Sequence, residues 1–476
     1  MISVSDKFVS IMNSNIRPKT DFKIEVTKKD ASIIKWTSKD ITNFTFKRGI
    51  DPVGRNLPFL ELTWEEIYLG ELDTNNEAIK YNEIEPFLKV RLTIEQSLSF
   101  INTWQDVYKY TWNDLFSNGM TWRDVLKKPQ TETIEMPMMF LVDKPEAKDQ
   151  KIRWTARDFL FFLNSPQEIG FESGINFGNI PRYFLLSERA NFKDNNFMIN
   201  AISQTQANLY NKSVLNGAFD FNMSHITLFS DTTKNILKNI LASANHFLDF
   251  EKDGEATPVE FYSFLRSPDR STPKFTGNIM KSYPRLTKGK DISSFSFSQY
   301  NVKLDEENKY TLSTPDESFT IGSSTIVNRF FYKDFGKIEI NSNNEGSFPP
   351  KTINKNALTV LNSLNIIPAS LNSTEIFINN EKNGEQFIEN NNCNFFNSQD
   401  VLLLERKSKL NMWFSRNYYT IEFEGLPMFH LEPNDYVRVD TNLFENGSRV
   451  KKYGLILEQE LTFNGGFNQK TIVREV

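Results

Sequence analysis

The chain has 476 residues, 42 of them Phe and 7 Trp, with a formal net charge of −5 and one cysteine, Cys393. That aromatic supply is enough for several hydrophobic cores, and the length suggests roughly three domains. A lone cysteine excludes an intramolecular disulfide and a thiolate metal cluster. No Lys/Arg block is long enough for a phosphate-binding arm, and no apolar run approaches a membrane span. The N-terminus lacks a basic stretch followed by an apolar one, so no signal peptide is expected, and folding in a reducing cytoplasm is.

Residues 5–13 read as a short amphipathic helix using Phe8, Val9, Ile11 and Met12. Strands follow, because apolar residues alternate at Phe22, Ile24 and Val26, at Phe44 and Phe46, at Leu60 and Leu62, and from Leu88 through Val90 and Leu92 to Ile94. Pro52, Gly54 and Pro58 punctuate them. Between residues 99 and 130 the character changes. Thr103-Trp-Gln-Asp106, Thr111-Trp-Asn-Asp114 and Thr121-Trp-Arg-Asp124 repeat one unit, with a related Thr63-Trp-Glu-Glu66 before them. A Thr followed three residues later by an acid is helix-start capping, so each unit reads as a short helical turn carrying a Trp. Trp104, Trp112 and Trp122 either pack this excursion onto the barrel or form an exposed protein-binding patch; a sugar platform is a third use.

From residue 149 the pattern is mixed. Thr155-Ala-Arg-Asp158 reads as the cap of a helix through Phe159, Leu160, Phe162 and Leu163. The strongest helix follows Asp231, where Ile236, Leu237, Ile240, Leu241, Ala244, Phe247 and Leu248 share a face. It runs into the turn Lys252-Asp-Gly254 and a strand from Val259 to Phe264. Residues 345–400 read as a loop-rich excursion with a short helix around Leu358 to Leu364. Strands resume at Tyr419, Ile421 and Phe423. A terminal hairpin places Leu455, Leu457, Leu461 and Phe463 on one face, turns at Asn464-Gly-Gly466 and returns from Phe467 to Val473.

One element recurs. Lys39-Asp-Ile-Thr-Asn-Phe-Thr-Phe46 returns as Lys290-Asp-Ile-Ser-Ser-Phe-Ser-Phe297, so Asp40, Phe44 and Phe46 correspond to Asp291, Phe295 and Phe297. This is either a duplicated strand-rich module or coincidence in a chain rich in Phe, Ser and Lys. In each copy the two Phe, two residues apart, share one face of an extended strand. The expected fold is α+β, mainly β, with two similar small antiparallel β-barrel domains and mixed α+β insert domains. The first barrel domain spans 1–148 with a Trp-rich helical insertion at 99–130, a mixed α+β domain spans 149–284, and the second barrel domain spans 285–476 with the insertion 345–400. Residues 30–95 on one side, and 285–300 with 400–476 on the other, should form the two barrels.

Nothing in the sequence reads as catalytic. His225, His246 and His430 lie in separate segments without ligand spacing, and Cys393 has no activating base beside it. Nucleophile elbows, phosphate loops and zinc-protease motifs are missing. Asp253 and Glu255, at the turn after the long helix, read as solvated turn acids. No catalytic, cofactor or metal residue is assigned.

Two segments carry a resemblance. Lys39 to Gly70 includes Lys47-Arg-Gly-Ile-Asp-Pro-Val-Gly-Arg-Asn-Leu-Pro-Phe-Leu-Glu-Leu-Thr-Trp64. The second comprises Gly425-Leu-Pro, Leu431-Glu-Pro-Asn-Asp-Tyr-Val-Arg-Val-Asp-Thr441 and Lys452 to Gly466. Together they resemble the baseplate hub proteins of phage tails and phage-derived contractile particles, a family that includes the N-terminal hub part of tail-associated lysins. The Trp-rich insertion is similar to versions from phages, prophages and tail-like bacteriocins of low-GC Gram-positive bacteria. The resemblance implies a virion tail-tip protein made in the host cytoplasm, a homotrimer whose paired barrels form a pseudo-sixfold ring. Its implied partners are the tail tube, distal tail or tape-measure proteins and a spike or lysin, with transient, non-specific passage of DNA and no membrane insertion. A mildly acidic surface suits such a conduit, since like charges repel. Two other readings are a distal tail or receptor-binding adaptor contacting host glycan and a β-rich cell-wall glycan hydrolase.

Overall fold

The computed structural model describes, each with short gaps except 179–211, residues 19–98, 130–171, 179–211, 227–260 and 419–475, with shorter stretches elsewhere. The expected alternation forms the first strands: β1 (Lys19–Thr27), β2 (Ile33–Thr37), β3 (Ile41–Asp51), β4 (Asn56–Ile67) and β5 (Lys89–Leu98). Phe22, Ile24, Val26, Phe44, Phe46, Leu60, Leu62, Val90, Leu92 and Ile94 are all buried on one side. Strands β6 (Gln130–Glu135), β7 (Met139–Leu141), β8 (Glu146–Lys148) and β9 (Lys151–Arg157) complete this part. Of the N-terminal helix, Phe8 and Met12 are described, helical and buried.

The middle of the chain departs from its expectation in three ways. Thr155 lies in β9, and Asp158 itself is the cap: its carboxylate accepts from the Phe161 N–H at 3.1 Å and starts a single 3-10 turn, Phe159–Phe162. The helix after Asp231, α3 (Thr233–Ser243), is shorter than its apolar pattern, because Phe247 and Leu248 belong to a strand, β12 (His246–Phe250). The Asp-Gly turn therefore joins two strands, β12 and β13 (Ala256–Glu260), with Gly254 at φ +83° and a Met138 carbonyl 2.9 Å from where a Cβ would stand. Two helices absent from the sequence reading, α1 (Ile180–Asn191) and α2 (Asn196–Tyr210), lie after β10 (Pro166–Phe171), which pairs with β11 (Thr227–Thr232). Pro181 opens α1, and the Asn195 side chain caps α2 by accepting from the Met198 N–H at 3.0 Å. Thr205 anchors α2 to β13 by accepting from the Ala256 N–H at 2.9 Å.

Further strands are β14 (Lys274–Phe275), β15 (Arg285–Lys288), β16 (Ser294–Gln299), β17 (Asn301–Leu304), β18 (Tyr310–Ser313), β19 (Ser318–Ile321), β20 (Phe330–Phe331), β21 (Glu339–Ile340) and β22 (Ile367–Pro368). They are followed by β23 (Thr374–Asn380) and β24 (Gly384–Asn391), which pair antiparallel, so the stretch read as loop-rich contains a strand pair. The chain closes with β25 (Tyr419–Gly425), β26 (Tyr436–Glu445), β27 (Ser448–Phe463) and β28 (Phe467–Glu475).

Fifteen strands share one sheet: eleven follow the path β15-β25-β28-β27-β3-β4-β9-β7-β5-β1-β2, and β6, β8, β14 and β26 pair off it. The sheet curls. Phe22 of β1 meets Phe44 of β3 at 4.8 Å between ring centres, and Trp36 of β2 meets Trp64 of β4 at 5.6 Å, although these strands are far apart along the path. Among the described residues no ladder closes the roll into a barrel. Where two separate barrels were expected, the first-copy strand β3 pairs directly with the C-terminal β27, joining the two ends of the chain in one sheet. One edge of β27 changes partner from β26 to β3 at the irregularity between Ile456 and Glu458. That irregularity also corrects the hairpin face: Ile456 is buried where Leu457 was expected, while Leu461 stays inside.

Candidate functional site

The face of the sheet opposite the core carries a row of alternating charges. Registers align Arg157 of β9 with Glu61 of β4, Glu61 with Lys47 of β3, Lys47 with Glu460 of β27, Glu460 with Lys470 of β28, and Lys470 with Glu424 of β25. Ion pairs follow the row: Arg157 to Glu61 at 2.6 Å, Lys47 to Glu460 at 3.4 Å and Lys470 to Glu422 at 2.8 Å. The hydrogen bond between Lys470 and Glu422 raises the pKa of the first and lowers that of the second. Beside it runs an uncharged row, Thr155, Thr63, Thr45, Thr462 and Asn468. These positions follow from strand parity: Phe44, Phe46, Leu62 and Leu461 point inward, so Thr45, Lys47, Glu61 and Glu460 point outward. Each exposed pair contributes little stability. Their collective effect is electrostatic: cations and anions on neighbouring strands, about 5 Å apart, cancel within the Debye length of roughly 8 Å in physiological salt.

Behind this face, β3 is locked to the C-terminal segment by Arg48. Its side chain is 5% exposed, donates through Nε to Gln459 Oε1 at 2.9 Å and through a terminal nitrogen to the Leu431 carbonyl, and lies 3.7 Å from Glu432. The receiving loop is shaped by its sequence. Pro433 and Asn434 form a tight turn with Asn434 at φ +83°, the Asp435 N–H donates to the Glu432 carbonyl at 3.1 Å, and the Asp435 carboxylate accepts from the Glu432 N–H at 2.7 Å. Burial works against charge throughout this junction. It lowers the Arg48 pKa, raises that of Asp435, and pushes the Asp249 carboxyl up to about 7, with Glu432 adding to the rise. His430 is pushed down to about 4 by burial, so it packs as a neutral ring edge-on to Phe8 at 5.2 Å. Asp249, Glu432, Arg48, Pro58 and Pro137 line a small recess of about 20 Å³, room for no more than a water.

Two aromatic groups hold the rolled sheet. Phe22, Phe44, Phe463 and Phe467 join β1, β3, β27 and β28, with centroid separations of 4.8 to 6.0 Å. Trp36, Trp64 and Trp154 form a second group with Tyr81; Trp64 and Trp154 stack at 5.5 Å and 2°. The Trp36 indole donates to Glu66, and burial raises the pKa of Tyr81, with the Glu66 carboxylate adding to the rise.

The sequence-predicted residues divide. Phe44 and Phe46 are buried on the core face as read, and Asp40 closes the turn before β3 by accepting from the Thr37 N–H at 2.8 Å and hydroxyl at 2.7 Å. Phe295 and Phe297 lie on β16, in a separate four-stranded sheet between β19 and β23, whereas β3 lies between β4 and β27. Asp291, Trp104, Trp112, Trp122, His225 and Cys393 fall outside the described residues. His246 opens β12 instead of lying in a helix. Asp253 is an exposed turn residue, paired with Arg91 at 2.9 Å. Arg48 was missed as an organiser; a charge that continues the core parity of Phe44 and Phe46 was its signal. Among the described residues no group of His, Cys, Asp or Glu could hold a metal ion, and no helix is long and apolar enough to cross a membrane.

No protein-family model matches the sequence, and no curated protein does. Solved structures similar to this chain include a tail protein from Neisseria meningitidis MC58, at 9% identity over 96% of both chains with a TM-score of 0.41. Another is the 43 kDa tail protein of prophage MuSo2 from Shewanella oneidensis, at 10% identity over 96% of both chains with a TM-score of 0.38. A third is the E. coli c3393 protein, a type VI secretion component described as similar to the T4 bacteriophage tail proteins gp27 and gp5; it matches at 6% identity over 92% of this chain and 74% of its own, with a TM-score of 0.36.

Proposed function

We propose that this chain is the structural hub of a phage or phage-like tail tip. Three copies form a pseudo-sixfold ring that links the tail tube to a central spike or lytic component and continues the DNA channel. The observation that carries the reading is the junction of β3 with β27. The two hub-like segments are neighbours there, joined by a strand ladder and by Arg48 reaching Leu431, Glu432 and Gln459. The hub family's paired barrels correspond in this reading to the two halves of the sheet. The Trp units at 99–130 serve as contacts to neighbouring tail proteins. The chain is a non-enzyme, and lytic chemistry belongs to a partner.

The polar face supplies what a DNA conduit requires. Duplex DNA carries about one charge per 1.7 Å, and a run of unpaired Lys and Arg would hold it through counterion release. A row in which each cation has an anion beside it neither holds nor strongly repels the polyanion. The isolated protein is therefore expected to leave duplex DNA unretarded in a gel at about 0.15 M salt. The double substitution Glu61→Lys with Glu460→Lys makes five successive strands basic and should produce salt-sensitive binding. Retardation of DNA by the unsubstituted protein under the same conditions would contradict the channel role.

A further inference from the structure

Helices α1 and α2 line a surface groove of about 500 Å³. Its rim exposes large apolar side chains: Tyr183 is 50% exposed, Leu186 56% and Tyr210 37%. Its formal charges are Arg182 and Arg189. Nothing on either helix offsets them. α2 has no charged residue, and the one acid of α1, Glu188, is fully buried on the other side, accepting from Ser165 Oγ at 3.0 Å and Asn191 Nδ2 at 2.9 Å. Arg182 is held in place: its guanidinium lies 4.4 Å from the Tyr210 ring centre and donates to Asn179 Oδ1 at 3.2 Å. The Arg182 carbonyl accepts from Gln206 Nε2 at 2.7 Å, tying the helices together beneath the groove.

We propose that this groove docks an acidic peptide segment of a partner protein, in which a large apolar side chain is flanked by carboxylates. The apolar anchor would lie against Leu186 and Tyr183, while carboxylates pair with the two guanidinium forks, whose planar geometry suits bidentate contact. Charge complementarity argues against a second copy's average surface less than it argues for an acidic sequence, since the cations are local to the groove. Two cations also make a poor nucleic-acid site, because each neutralised phosphate adds only one increment of counterion release.

The test is fluorescence polarisation of the labelled peptide EDWLEDLFE with the full chain. Saturable binding is expected, weakened at least tenfold by Arg182→Glu with Arg189→Glu and by replacing the peptide's acids with Lys. Arg182→Gln with Arg189→Gln is the milder variant should charge reversal disturb folding, and circular dichroism checks both. No binding, or binding unchanged by the substitutions, overturns the proposal. So does a single-stranded oligonucleotide that binds more tightly than the peptide and loses binding in the same variants. The outcome does not depend on ring formation, so this inference and the hub reading can fail separately.

Discussion

Arg48→Ala is expected to lower the unfolding free energy by about 3–5 kcal/mol, the cost typical of stripping one partner from a buried ion pair. Arg48 is 4% exposed and its guanidinium faces Glu432, with Asp249 and Asp435 contributing further negative charge. Removing it leaves the Leu431 carbonyl and Gln459 Oε1 without the Arg48 donor and takes a buried positive charge away from beside Glu432. The losses fall on β27, through Gln459, and on the loop before β26, through Leu431 and Glu432, where both meet β3, so the damage should extend to the cooperativity of the whole sheet. Arg48→Lys should recover little, because one ammonium cannot reach Gln459, Leu431 and Glu432 with the geometry of a fork. Urea unfolding followed by circular dichroism measures the effect. A loss below about 1 kcal/mol would put the junction at the level of an exposed pair.

Trp154→Ala should cost a similar amount, about 3–5 kcal/mol. Trp154 is 1% exposed and touches every other ring of its group: Trp36 at 4.9 Å, Trp64 at 5.5 Å and Tyr81 at 4.9 Å. Its removal opens a cavity in the middle of the roll, which β4, β9 and β2 cannot close without breaking register. Trp154→Phe should cost less, since part of the volume and the apolar contact survive. The parallel stack of Trp64 on Trp154 gives a second readout, because coupled indoles produce a near-ultraviolet dichroism band that either substitution should abolish. Retention of that band in Trp154→Phe would mean the stack is not the one described.

Local patterns in the sequence were legible where one face is apolar and the other wet. Phe22, Ile24 and Val26, or Leu60 and Leu62, needed only period-two alternation, and Asn464-Gly-Gly466 and Asp253-Gly254 announced their turns. Five apolar-rich residues from His246 to Phe250 continued a helical stripe equally well as a strand, and pairing with β13 decided for the strand. The pair α1 and α2 is absent from the sequence reading although Pro181 and Asn195 mark both starts. Leu457 was assigned to the wrong face because a bulge shifts parity without altering composition. Long-range pairing was the least legible. That β3 meets β27 is fixed by side chains from opposite ends of the chain, Phe44 on Phe463 and Arg48 on Gln459, whose partnership no local window contains.

The hub reading is tested most directly by a particle reconstruction at a resolution that traces strands, carried out on the tail tip containing this protein. The expected result is three copies in one ring below the tube, each contributing two similar positions to a pseudo-sixfold arrangement. The row from Arg157 to Glu424 should line the opening. Six equivalent copies in a distal ring, or copies attached peripherally with that face turned to bulk solvent, would contradict it.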